Sequence, residues 1–315
     1  MAADITTAAV VGQGRTADIY AWDNHQMLKL FHTGWSLSAV EQEAHISQVV
    51  HATGLPAPAS GGTIEINGRY GILFERIDGP SMLHQLGARP WSALSLLHAF
   101  ADLHINMHTQ TIATGEFPSQ RQQLTHQIRQ ASPLPAAWMA AALTALDRLP
   151  DGTCLCHGDY HPDNVLMSTR GPIIIDWSEA TTGNPLADVA RTALIFRMGA
   201  PPPGGMSPLL IGSARAVAQV MYLRRYRKRD PAVRAELAAW RLPIAAARLG
   251  AGIPEEQQPL LTQIEALVRK PNLRLSRAMS GKPSAALSVP SAAVGGQKEH
   301  EGDGRWKKHG DRERG

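Results

Sequence analysis

The sequence predicts an α+β protein built as two lobes, a β-rich first lobe and a mostly helical second one. Three observations lead there. The first 75 or so residues alternate short apolar segments with turn residues, which is strand and hairpin character. Beyond Asp78-Gly79-Pro80 the apolar residues recur at helical spacing in long segments. One stretch, residues 153–177, interrupts those helices with strand and loop character. The 315 residues suffice for one large domain or two lobes.

The elements follow in order. A strand at 8–11 leads to Gly12-Gln13-Gly14, and strands at 17–22 and 26–31 flank the turn Asp23-Asn24-His25. Ser38 to Glu41 has the spacing of a capping box and opens a helix that runs to His51. Gly54, Pro56 and Pro58 stop that helix. Strands at 61–66 and 69–76 surround Asn67-Gly68. Helices are expected at about 91–108, 119–130, 135–148, 185–198, 208–227, 231–249 and 256–269. Residues 153–177 read as strand, polar loop, strand, turn, strand. The predicted organisation is a first lobe at 1–78, a helical lobe at 79–277 and a disordered tail at 278–315. That tail is rich in Gly, Pro, Ser and charge and has no periodicity.

Composition removes several function classes. With 43% hydrophobic and 18% charged residues, collagen-like, coiled-coil and wholly disordered chains are excluded. A net charge of +4 is too mild for a charge-driven nucleic-acid binder, so no nucleic-acid partner is expected. Two cysteines, Cys154 and Cys156, cannot form a disulfide framework and fit a half-buried strand in a reducing compartment. The first residues lack a basic and then apolar leader pattern. The longest mostly apolar stretch, 134–146, falls short of the roughly 20 residues a membrane span needs. The expectation is a cytoplasmic protein without a membrane partner.

The chemistry is concentrated at His157-Gly158-Asp159-Tyr160-His161-Pro162-Asp163-Asn164, with Asp176 following the apolar run Ile173 to Ile175. Metal-assisted phosphoryl transfer needs one carboxylate to meet the attacking hydroxyl. It also needs an amide oxygen and a second carboxylate to hold Mg2+, a hard cation that prefers oxygen ligands. Gly12 and Gly14, between two strands, let backbone amides approach phosphates, although the pair also suits a plain hairpin turn. No Gly-Lys-Ser/Thr follows, so this is not a Walker A loop. Lys29 stands in an apolar strand, where a lone ammonium is costly unless paired, and the following helix offers Glu41 and Glu43.

These residues resemble the aminoglycoside phosphotransferase/choline kinase-type family, relatives of the protein kinases in fold. The resemblance covers roughly residues 8–270. Its most specific elements are the loop at 157–166, Ile-Ile-Ile-Asp-Trp at 173–177, and Asp188 within Leu-Ala-Asp-Val-Ala at 186–190. It implies a protein-kinase-like fold and an ATP- and Mg2+-dependent phosphotransferase acting on a hydroxyl of a small molecule. By the same resemblance, Asp159 is the catalytic base or hydroxyl-orienting group, and Asn164 and Asp176 are the metal ligands. Lys29 contacts the α/β-phosphates with Glu43 as its partner, and backbone at Glu75 and Ile77 binds the adenine. His157 and Asp188 brace the loop. Two positions depart from the family pattern: the glycine loop lacks its usual late small or Asn residue, and Gly-Asp-Pro is here Gly183-Asn184-Pro185. A pseudokinase-like nucleotide-binding protein is the alternative, opposed by the intact set Lys29, Glu43, Asp159, Asn164 and Asp176. A protein kinase is disfavoured, because no Ala-Pro-Glu is present and Trp-Ser rather than Phe-Gly follows Asp176.

Other features are read as structural. His104 and His108 lie one turn apart but show no third ligand in sequence, and are taken as an ordinary helix face. The basic run at 222–229 is taken as a solvated helix end. Residues 200–270 hold eleven basic and five acidic side chains, a balance of +6. That sign disfavours polycations such as aminoglycosides and predicts a neutral or anionic acceptor.

Overall fold

The turn Asp23-Asn24-His25 is closed by the Asp23 carboxylate, whose Oδ1 accepts the amides of His25 and Gln26 at 2.6 and 2.7 Å. It joins β2 (Ala17–Ala21) to β3 (Gln26–Phe31) in this computed structural model, which describes residues 8–113, 115–198, 207–227 and 233–269. With β1 (Val10–Gln13), β4 (Ser60–Ile66) and β5 (Arg69–Glu75) these strands form one antiparallel sheet in the order β1-β2-β3-β5-β4. Asn67 and Gly68 turn β4 into β5 with φ of +50° and +73°, as a two-residue hairpin turn of this kind requires. β3 is buried on both faces. Leu28 and Leu30 pack with Ile66 on one side, while Phe31 packs with Val40, Ala44 and Ile72 on the other.

The second of those faces is covered by α1 (Leu37–Ala52). Its cap is Ser36 rather than Ser38: Ser36 Oγ accepts the amide of Ala39 at 3.3 Å. Gly34, at φ +101°, and the packing of Trp35 on Phe31 at 5.2 Å between ring centroids fix where the chain enters, so the helix starts before the predicted box.

The helical part comprises α2 (Met82–Ala88), α3 (Ala93–Met107), α4 (Gln120–Gln130), α5 (Ala136–Asp147), α6 (Pro185–Met198), α7 (Pro208–Arg227), α8 (Val233–Leu249) and α9 (Pro254–Arg269). Each predicted helix in this region is present, and α2, capped by Ser81, is one more than the sequence reading contained. Its core runs from Phe100 and Tyr160, stacked at 4.2 Å, through Leu155 and Val189 to Tyr222, Trp240 and Ile244. The predicted interruption is β6 (Cys154–Cys156), a loop, β7 (Val165–Ser168) and β8 (Gly171–Ile174); β6 pairs with an unpredicted β9 (Thr181–Gly183). Two backbone bonds tie this insertion to preceding segments, Ile174 N–H to Pro56 O at 2.7 Å and Met167 N–H to Pro80 O at 2.8 Å. The predicted tail and part of the basic run lie outside the described residues.

Candidate active site

Pairing register places Gly12, Ile19, Lys29 and Ile72 in one row across β1, β2, β3 and β5. Lys29 therefore projects toward α1 on the same face as Phe31. Its ammonium bonds Glu43 Oε1 at 2.7 Å and Asp176 Oδ1 at 2.9 Å. Of the two glutamates that α1 offers, Glu43 is the one that turns inward and is buried. Burial alone would lower the Lys29 pKa, but the Asp176 and Glu43 carboxylates outweigh it and hold the ammonium above its ordinary value. Asp176 is held below the usual carboxylate range: burial opposes this, and Lys29 and the Ser178 hydroxyl overcome it. Asp176 adopts φ +61°, a left-handed conformation that Asp tolerates better than most residues, just after β8.

The loop between β6 and β7 is held from below by Asp188 on α6. Its Oδ2 accepts the His157 amide at 2.6 Å, and its Oδ1 accepts the Gly158 amide at 2.9 Å. Gly158 needs φ +79°, and a Cβ there would meet Glu179 O at 2.3 Å, so no side chain fits. The Asp159 amide donates to His157 Nδ1 at 3.3 Å, which makes Nδ1 an acceptor and leaves Nε2–H to donate to Ile175 O at 3.1 Å. Burial lowers the His157 pKa despite nearby carboxylates, which favours the neutral ring, and its Nε2–H is committed to Ile175 O. Asn164 closes the loop, with Nδ2 donating to Asp159 O at 3.0 Å and its backbone carbonyl accepting from Ile175 N–H at 3.0 Å.

Asp188 also explains His104 and His108. Both rings are buried, and each Nε2 donates to Asp188 Oδ2, at 3.1 and 3.2 Å. Tyr222 and Tyr226 hydroxyls meet the two Nδ1 atoms at 2.6 and 2.8 Å. The pair is thus not an ordinary helix face. Its third partner comes from 84 and 80 residues away, a separation no local spacing could reveal. Tyr222 and Tyr226 likewise remove part of the basic run from solvent, and Arg225 pairs with Asp102.

Asp159 Oδ2 lies 3.5 Å from His161 Nε2, and Oδ1 lies 3.4 Å from Arg248 Nη1. Arg248 comes from α8, and its Nε and Nη2 grip both oxygens of Glu256 on α9 at 2.7 and 2.9 Å. Arg191 from α6 is buried and bonds Gln127 at 3.0 Å. Burial opposes ionisation of Asp159, but His161, Arg191 and Arg248 hold its carboxyl well below the usual carboxylate range. Gln123 and Gln127 of α4 both donate to Glu179, and Gln120 bonds the backbone of Asn184. Sequence reasoning missed this polar shell. The available signal was Gln120, Gln123 and Gln127 at helical spacing, and an Arg continuing the apolar run Ile244 to Ala247.

The remaining predicted residues stand further out along the sheet. Gly14 makes the tight turn to β2, its amide donating to Ala17 O at 2.9 Å. Glu75 pairs with Gln26, three positions along β3 from Lys29, or about 10 Å. Its amide is taken by Ala59 O at 2.8 Å and its carboxylate by Arg170 at 2.6 Å. Ile77 follows in the connection toward α2. Among the described residues no helix is long and apolar enough to cross a membrane.

Known proteins share this architecture. A thermostable mutant of the aminoglycoside phosphotransferase APH(4)-Ia superposes with a TM-score of 0.62 at 16% identity, over 85% of this chain and 96% of that one. The amicoumacin kinase hAmiN, in complex with AMP-PNP, Ca2+ and Ami, gives 0.56 at 11% identity over 85% and 90%. Choline kinase from Cryptosporidium parvum Iowa II gives 0.52 at 14% over 86% and 90%. At such identities the likeness establishes the protein-kinase-like fold. Acyl-CoA dehydrogenase family member 11 of Gallus gallus is 26% identical over 181 residues, 50% of this chain and 23% of that protein. The chain thus spans about a quarter of that relative's length. A family model described as the phosphotransferase enzyme family matches residues 8–237, and the chain belongs to that family.

Proposed function

We propose that the protein transfers the γ-phosphoryl group of ATP, with Mg2+, to a hydroxyl of a small molecule. The observation that carries this reading is the Lys29 ammonium held between Glu43 and Asp176, beside a loop in which Asn164 is tied to Asp159. Four charges, Lys29, Glu43, Asp176 and Asp159, leave a net of −2 at the centre. The donor set suits a hard divalent cation. Asn164 uses its Nδ2 on Asp159 O, which leaves Oδ1 as the oxygen that would ligate the cation. Asp176 uses Oδ1 on Lys29 and Ser178, which leaves Oδ2. Mg2+ bound there would neutralise charge on the phosphate oxygens.

The chain's own groups take the other roles. The first lobe, residues 1–78, carries the nucleotide. Because the Glu75 amide is committed to Ala59, its carbonyl and the Ile77 amide are the groups left to meet the adenine edge. The loop at Gly12 and Gly14 covers the phosphates, with the Gly14 amide itself committed to Ala17 O, and Lys29 draws the α/β-phosphates into line. Asp159 accepts the hydrogen bond of the acceptor hydroxyl. Its depressed pKa makes it an aligning group that receives the proton only as the new bond to phosphorus forms. Neutral His157 fixes the loop and moves no proton.

Calorimetric titration of Mg·ATP into wild type and Asp176→Asn, with ADP release followed with and without Mg2+, tests this. Tight, Mg2+-dependent binding and turnover in the wild type, both weakened in the variant, is the expected result. Nucleotide binding indifferent to Mg2+ and to Asp176→Asn would overturn the reading.

A further inference from the structure

We infer that the acceptor carries an oxyanion, a carboxylate or a phosphate, a few bonds from its reacting hydroxyl, recognised by Arg248 and Arg191. The inference rests on the phosphotransferase reading of the same site. Arg248 is preorganised for the task. Its side chain is 10% exposed, and Glu256, 5% exposed, fixes the guanidinium plane by a two-point grip. That grip leaves Nη1 pointing at the edge of the catalytic loop. At 3.4 Å its contact with Asp159 Oδ1 is long, so its hydrogen-bonding capacity is largely unused. Asp159 itself is 30% exposed, so a ligand hydroxyl reaching it arrives beside Nη1.

Arg191 supplies the second element. It lines a small cavity beside the catalytic loop with Gly158, Gln123, Gln127 and Glu179. Its Nη1 is bound to Gln127 and its Nη2 is 3.8 Å from Glu179, while the buried Nε has no partner among the described residues. That Nε is out of a ligand's reach, so Arg191 contributes its positive charge, which acts on Asp159, rather than a hydrogen bond to the acceptor. The groups facing Asp159 from the loop, α6 and α8 are His161, Arg191 and Arg248. Glu256 of α9 is fully engaged by Arg248, and Glu179 is held by Gln123 and Gln127. A polycationic acceptor would meet two guanidinium groups facing the same Asp159 carboxylate it must approach. Of the basic residues in this region, Arg225 pairs with Asp102 and Arg269 with Glu265, away from Asp159.

The test is an ADP-release panel of hydroxycarboxylates, phosphorylated alcohols, neutral polyols, quaternary-ammonium alcohols and an aminoglycoside. An oxyanion-bearing alcohol should exceed its neutral analogue in kcat/KM by about tenfold or more, and which of the first two groups wins identifies the anion. Arg248→Gln combined with Glu256→Gln removes both charges together, so no buried carboxylate is left unpaired. That variant should retain its melting temperature and keep the Kd for Mg·ATP within about twofold, while the acceptor KM rises about tenfold. Arg191→Gln should raise the same KM. Preference for neutral or cationic alcohols overturns the inference, as does an acceptor KM unmoved in both variants. So does Mg·ATP binding without turnover of any oxyanion acceptor. Loss of wild-type Mg·ATP binding would instead contradict the phosphotransferase reading, and calorimetry reads that without an acceptor.

Discussion

Lowering the pH from neutral to about 5 should destabilise this protein through its buried imidazoles, and the size of the effect follows from His104. The ring is completely buried beside His108. Burial and the neighbouring His108 push its pKa down from 6.5 to about 3, and Asp188 only partly counters them. The folded ring therefore stays neutral where the unfolded chain takes up a proton. The unfolded state binds more protons below pH 6.5, so stability is full above that value and declines as the pH falls toward the folded pKa. At about pH 5 the difference is roughly 1.5 pH units, or about 2 kcal/mol for one imidazole. That corresponds to a fall in Tm of about 4–8 °C. His157, also lowered by burial, adds to it with the same sign. Urea unfolding followed by tryptophan fluorescence at several pH values measures the effect, and unfolding calorimetry in two buffers of different ionisation enthalpy counts the protons. His104→Gln should reduce the pH slope by about one proton whatever it costs at neutral pH. Equal stability at about pH 7 and pH 5, or no proton uptake on unfolding, would refute the reasoning.

Three further outcomes follow from the site. Asp159→Asn should lower kcat by about 100-fold or more and leave Mg·ATP binding within about threefold, read by ADP release and calorimetry. Asp176→Asn should weaken Mg·ATP binding and turnover together, because a metal ligand acts in both ground and transition states; an unchanged Mg2+ titration would contradict it. Gly158→Ala forces a side chain into φ +79° against the Glu179 carbonyl, and should cost at least about 2 kcal/mol, measured as a lower urea midpoint at constant m.

What was legible in the sequence was what local spacing encodes. The two-lobed order of elements and the Asp159/Asn164/Asp176 pattern were readable there, whereas spacing left Glu41 and Glu43 open and the family resemblance chose Glu43, the residue that meets the ammonium. Local signals misplaced details wherever a tertiary contact decided. Ser36 caps α1 because Trp35 packs on Phe31, and β9 exists only because β6 offers it an edge. His104 and His108 looked like a helix face because Asp188 reaches them across the fold. Arg248 looked like one charge among eleven, and only the packing of α8 and α9 sets it beside Asp159.

The central claim is transfer to an alcohol rather than nucleotide binding or hydrolysis. Phosphorus NMR of a reaction containing Mg·ATP and a hydroxy acid or phosphorylated alcohol tests it most directly, with Asp159→Asn run in parallel. The wild type should form ADP and a new phosphomonoester resonance in equal amounts, and the variant almost none. ADP accompanied only by inorganic phosphate, or a phosphomonoester formed equally well by Asp159→Asn, would contradict it.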